Sequence, residues 1–110
     1  SGGTPSGYNV NYALDEGKDH KLKLAAIAYS KKTGIGMMIS TSAPGLQFYT
    51  ANYLNVTGKG GYVYQSHAAY CFETQGFPDA VNHPNFPSTI VNPGDLYVHN
   101  MLVEFKIKQK

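Results

Sequence analysis

Apolar residues recur along this chain in short runs of period two, each closed by a turn. The first run covers residues 8–14 and ends in a polar turn at 15–19. Lys21, Leu22, Lys23 and Leu24 alternate, and that run continues through Ile27 to Tyr29. Lys31-Lys32-Thr33-Gly34 has the composition of a hairpin turn. A third run, 37–41, stops before Pro44-Gly45, and a fourth covers 46–50. A glycine-rich loop at 58–61 precedes a fifth run at 68–74, and a short apolar piece lies at 89–91 before the turn Asn92-Pro93-Gly94-Asp95. The last run, 97–108, ends with Val103, Phe105 and Ile107 on one side and Glu104, Lys106 and Lys108 on the other. That alternation belongs to a strand, whose successive side chains point to opposite faces.

No window carries a helical period with caps. Many short strands between Gly/Pro turns predict an all-β, antiparallel sandwich or barrel. The chain has 110 residues, the size of one domain with a modest core. Nine tyrosines and five phenylalanines supply most of the area available for burial. The first seven residues, Ser1-Gly2-Gly3-Thr4-Pro5-Ser6-Gly7, have the composition of the middle of a loop.

Charge narrows the range of partners. The formal net charge is +2, and all nine basic residues are lysines spread along the chain. Nucleic-acid readers favour arginine, whose planar fork grips bases and phosphates in pairs, so no nucleic-acid partner is expected. No apolar run is long enough to cross a bilayer as a helix, and no membrane partner is expected. Cys71 is the only cysteine; it excludes an internal disulfide, and its apolar surroundings predict a buried, inert thiol. Asn55-Val56-Thr57 is a glycosylation sequon, relevant if the protein is secreted; a cytoplasmic sugar-handling enzyme is the other expectation for its compartment.

The residues richest in chemistry are 71–88. Glu73 closes an apolar run, and a loop stiffened by Pro78, Pro84 and Pro87 follows, carrying Asp79, Asn82 and His83. Polar residues in a proline-fixed loop are site candidates. Two carboxylates, Glu73 and Asp79, could serve a glycoside hydrolase, but Gly76 and Pro78 between them prevent any inference of facing geometry. Asp79, His83 and His67 match no usual metal-ligand spacing, and no metal or cofactor is expected.

Three blocks carry a family resemblance: residues 44–54 (PGLQFYTANYL), His67 with Cys71-Phe72-Glu73-Thr74-Gln75, and residues 77–82 (FPDAVN). Their order and spacing resemble the C-terminal part of the aldose 1-epimerase (galactose mutarotase) family, and Asn92-Pro93-Gly94-Asp95-Leu96-Tyr97 resembles the turn before its final strand. The resemblance implies a large antiparallel β-sandwich and interconversion of the α and β anomers of aldohexoses. It implies that Glu73 is the general base taking the anomeric hydroxyl proton, that a histidine is the acid on the ring oxygen, and that Gln47 contacts sugar hydroxyls. A base and an acid on opposite sides of the ring-opening bond fit the chemistry, and Phe72 is expected to desolvate Glu73 in part.

Two departures matter. Where the family has an Asp-His pair, this chain has Asn9 and Val10; Asn9 still hydrogen-bonds a hydroxyl but carries no charge, so weaker sugar binding is expected. The family's acid histidine lies upstream of this chain, which corresponds to roughly the last third of the family's length. His67 shares strand parity with Glu73, yet six residues of strand span about 20 Å, too far for one bond, so a packed, hydrogen-bonded His67 is expected. His83 is expected to brace the proline loop, His20 to be exposed, and His99 has no role assigned. The expectation is therefore one domain-part, residues 1–110, acting with the N-terminal portion as a second chain separated by cleavage in the opening Ser/Gly/Pro loop. A non-catalytic sugar-binding module on the same fold is the alternative.

Overall fold

The computed structural model describes residues 6–15 and 21–108; His20 and the turn at 16–19 lie outside them. Among the described residues eight strands run in chain order: β1 Asn9–Ala13, β2 Lys23–Tyr29, β3 Ile35–Thr41, β4 Gly45–Tyr49, β5 Val56–Thr57, β6 Val63–Tyr64, β7 Cys71–Gln75 and β8 Met101–Ile107. They form two three-stranded sheets, β1-β4-β7 and β2-β3-β8, and the small hairpin β5-β6. Every pairing is antiparallel. The described residues contain no α-helix, only 3-10 turns at Lys59–Gly61 and Ala80–Asn82.

The β2–β3 hairpin follows from its turn. Gly34 takes a φ of 78°, which costs glycine little because it has no Cβ. Its N–H donates to the Ser30 carbonyl at 2.8 Å, and the Thr33 N–H donates to Ser30 Oγ. A register shift between Leu24 and Ala26 marks a bulge in β2.

The most buried part of the chain is the passage between the sheets. Thr41, Ser42 and Ala43 leave the end of β3 and lead to Gly45, the start of β4, with exposures of 0%, 4% and 8%. A buried connection must satisfy its backbone, and this one does. The Ala43 N–H donates to Thr41 Oγ1, Ser42 exchanges hydrogen bonds with the Asn100 backbone, and the Pro44 carbonyl accepts from the Leu14 N–H. Ile39 and Leu46 flank the passage on β3 and β4 and form the apolar core with Ala43 and Ala51.

Between the sheets lies a hollow of about 660 Å³ lined by Tyr12, Leu24, Ile27, Leu46, Phe48 and Phe72 among others. Phe72 stacks on Phe48 at 5.1 Å, and Tyr8 and Tyr70 extend the ring cluster. Much apolar surface stays uncovered, notably Ile27, Leu96, Phe105 and Ile107. The radius of gyration is 17.1 Å, against about 13 Å for a compact domain of this length.

Several expected boundaries move. Residues 68–70 are not strand, because His67 takes a left-handed φ of 66° and its N–H donates to the Ala51 carbonyl. Residues 97–100 stay irregular, with Asn100 held to Ser42. Residues 89–91 pair with no strand, and β5-β6 is a hairpin that the apolar pattern did not predict.

Leu46→Ala should destabilise the protein by about 2–5 kcal/mol in chemical denaturation, the usual cost of emptying a buried leucine site. Val81→Ala, at an exposed position, should stay within about 0.5 kcal/mol.

Candidate active site

The first sheet has two unlike faces because side chains alternate along each strand. Tyr12, Leu46, Phe48 and Phe72 line the hollow, and Val10 shares their face. Asn9, Asn11, Gln47, Glu73 and Gln75 occupy the other face. Register brings them together: β4 is central, Gln47 stands opposite Asn11 on β1 and opposite Glu73 on β7, and Asn9 stands opposite Tyr49. Directly opposed residues have Cβ atoms about 4.5–5.5 Å apart, within reach of one small ligand group. The three residues expected to serve a sugar, Glu73, Gln47 and Asn9, therefore share one face.

The amides on this face are joined. Gln47 Nε2 donates to Asn9 Oδ1 at 2.7 Å. Gln75 Nε2 donates to Gln47 Oε1 and to Asn11 Oδ1, each at 3.0 Å. Gln75 reaches β1 across Gly45, its own partner on β4 and the partner of Ala13 on β1. A Cβ at position 45 would sit 2.6 Å from Asn11 Oδ1, so glycine keeps this passage open. Asn11 and Gln75 had no place among the expected site residues. Strand parity carried the signal: each lies two residues from a named one, Asn9 or Glu73.

Asn9 is positioned by a clamp on the residue before it. The Tyr8 N–H donates to Thr50 Oγ1 at 2.9 Å, and the Tyr8 carbonyl accepts from Asn52 Nδ2 at 3.2 Å. Asn52 is buried, which fixes the edge strand β1 against the end of β4.

Glu73 is exposed, and among the described residues its carboxylate has no hydrogen-bond or ion-pair partner; no described lysine pairs with it. The expected desolvation by Phe72 is not supplied. Adjacent strand residues point oppositely, and Phe72 stacks on Phe48 beneath the sheet. The same alternation corrects the reading of Cys71, which is exposed on the Glu73 face rather than buried. The 660 Å³ hollow is not lined by Glu73, Gln47 or Asn9. Nor is a second cavity of about 440 Å³ bounded by residues 42–44, Gly76, 87–89, Val91 and 97–99. On the polar face Asn9 and Glu73 are exposed, and Asn11, Gln47 and Gln75 are half-buried.

The histidines are engaged elsewhere. His67 Nδ1 lies 3.1 Å from the Thr50 carbonyl and donates to it, which makes it hydrogen-bonded as expected, though exposed and in a turn rather than on a strand. His83 Nε2 donates to Asp79 Oδ2 at 3.1 Å and its ring stacks on Phe86, bracing the proline loop. Asn82 Nδ2 donates to the other Asp79 oxygen, so the Asp79 carboxylate serves its own loop. His99 contacts Thr74 at 2.9 Å and Tyr97 at 3.3 Å, below the sheet. Among the described residues no three His, Cys, Asp or Glu gather as a metal site requires.

Gly45→Ala should cost about 1–3 kcal/mol of stability, the range for overfilling a packed position. Part of that cost should vanish in an Asn11→Ala background, where the crowded oxygen is gone. Equal costs in both backgrounds, by denaturant titration, would refute the Gly45 passage.

Comparison with known proteins places the chain. The profile of the family described as "Aldose 1-epimerase" matches residues 2–104. The chain is 40% identical over 103 residues to galactose mutarotase of Rattus norvegicus and 38% identical over 104 residues to that of Homo sapiens, covering 92% and 93% of this chain and 30% of each relative. It is 33% identical over 94 residues to aldose 1-epimerase of Escherichia coli (strain K12), covering 83% of this chain and 27% of that relative. The chain thus spans about 30% of the length of the mammalian relatives it matches, and it belongs to the aldose 1-epimerase family.

Proposed function

We propose that this chain supplies the base and part of the sugar-binding surface of an enzyme that interconverts the α and β anomers of aldohexoses such as glucose and galactose. The observation that carries this reading is the register pairing of Gln47 with Glu73, beside Asn9, on one polar face. Ring opening requires removal of the anomeric hydroxyl proton. An unpaired carboxylate is a ready acceptor, and the amide opposite it can donate to the same hydroxyl oxygen. Rotation about C1–C2 and reclosure then deliver the other anomer.

The acid that protonates the ring oxygen is assigned to a polypeptide outside this chain. No described histidine stands on the polar face, and each described histidine bonds elsewhere. The uncovered apolar residues and the open sheet edges support such a partner, since bare edges and apolar faces favour association. The partner assigned here is the portion of the family's sandwich that precedes this chain in its relatives, present as a second chain.

Polarimetry of freshly dissolved α-galactose tests the reading. The natural assembly should accelerate mutarotation, and Glu73→Gln should lower that rate by about 10²–10⁴-fold, the span for a lost general base, with binding retained. Undiminished rate in Glu73→Gln removes Glu73 as base. Binding without acceleration in the wild type favours the non-catalytic module, the reading motivated by the missing local acid. Asn9→Asp should tighten galactose binding by roughly 2–30-fold, because hydrogen bonds to charged groups are about 0.5–2 kcal/mol stronger than neutral ones; unchanged affinity in a titration would exclude Asn9 from the sugar surface. Mass measurement of the native protein should find a companion polypeptide, and a folded 12.0 kDa monomer that mutarotates alone would contradict the need for one.

A further inference from the structure

We propose that Gln75 is a positioning residue that sets which way the Gln47 amide faces, an inference that rests on the assignment of Gln47 to the sugar surface. An amide nitrogen has two N–H donors and no acceptor. Both donors of Gln75 are committed, one to Gln47 Oε1 and one to Asn11 Oδ1. Facing those donors, Gln47 turns its oxygen toward Gln75 and its nitrogen toward Asn9, where Nε2 donates at 2.7 Å. Asn9 in turn spends its oxygen and keeps its own nitrogen free among the described residues.

The polarity matters at Glu73. With Gln47 in this orientation, its second N–H is available to a hydroxyl oxygen placed between the two opposed side chains, and the hydroxyl proton is left to the carboxylate. With Gln47 reversed, its oxygen would compete with Glu73 for that proton. Gln75 touches neither the hydroxyl nor the base in this scheme. It acts through Gln47, and Gly45 lets it do so by leaving room for the bridge to β1.

Two substitutions separate this role from packing. Gln75→Met removes both donors at similar volume. Gln75→Glu keeps the shape but replaces donors with acceptors, which forces Gln47 and Asn11 to turn over. The ¹H–¹⁵N side-chain amide spectrum of the natural assembly reads the outcome without sugar. The Gln47 and Asn9 side-chain resonances should move in both variants, while the backbone amides of Gly45–Tyr49 hold their positions. Shifts confined to residue 75, or equal movement of the β4 backbone in both variants, would overturn the proposal. Galactose affinity supplies the second reading: Gln75→Met should weaken it about fivefold, the worth of one neutral hydrogen bond, and should add nothing in a Gln47→Met background. A further loss in that background means direct action and also overturns it. If galactose perturbs no amide of the wild type, the sugar assignment of this face fails, while the sugar-free spectra still decide the ladder.

Discussion

Everything chemical in this chain depends on β4 being a central strand held in fixed register on both sides. Its odd-numbered residues point one way and its even-numbered residues the other. A slip of one residue against either neighbour would exchange the faces. Phe48 would then meet Glu73, and Gln47 would enter the aromatic layer, where an unpaired amide costs roughly 1–3 kcal/mol by mutational measures. The register is secured by unlike devices on the two faces. Beneath the sheet, Leu46 is buried and Phe48 stacks on Phe72. Above it, four side chains share three hydrogen bonds. Buried area favours the pairing, and the amide ladder penalises misalignment.

The fold reaches this arrangement through a nonlocal path. The chain completes the β2–β3 hairpin in one sheet, crosses through its most buried residues, and begins β4 in the other. Pro44-Gly45, which stops the third strand in the sequence pattern, proves to be the hinge of that crossing. Gly45 then has a second duty, since its missing side chain is the space through which Gln75 and Asn11 meet.

Much of this was legible in the sequence. The turn at residues 31–34, the strands around it and the alternation of β8 follow from local patterns that the structure reproduces. The family blocks imply Glu73 and Gln47 as site residues without any geometry. The pairing β1-β4-β7 was not legible, because it joins strands some thirty residues apart that local periodicity cannot connect. Cys71 and Phe72 show the same gap at finer scale. An apolar stretch says that a strand is present but not which face meets the core, so the thiol was expected inside and the ring beside the carboxylate. Asn11 and Gln75 carry no local signal, because each is an ordinary polar residue until the register places it in the ladder.

Under the proposed function a sugar occupies the amide-and-carboxylate face of the first sheet, against Glu73 and Gln47, and not the aromatic hollow below. Galactose titrated into the isotopically labelled natural assembly, followed by side-chain resonances, tests this most directly. The Glu73 carboxyl carbon and the Gln47 and Asn9 amides should shift together along one saturable curve, while the Phe48 and Phe72 rings stay unmoved. Ring shifts with a silent Glu73 and Gln47 would contradict it.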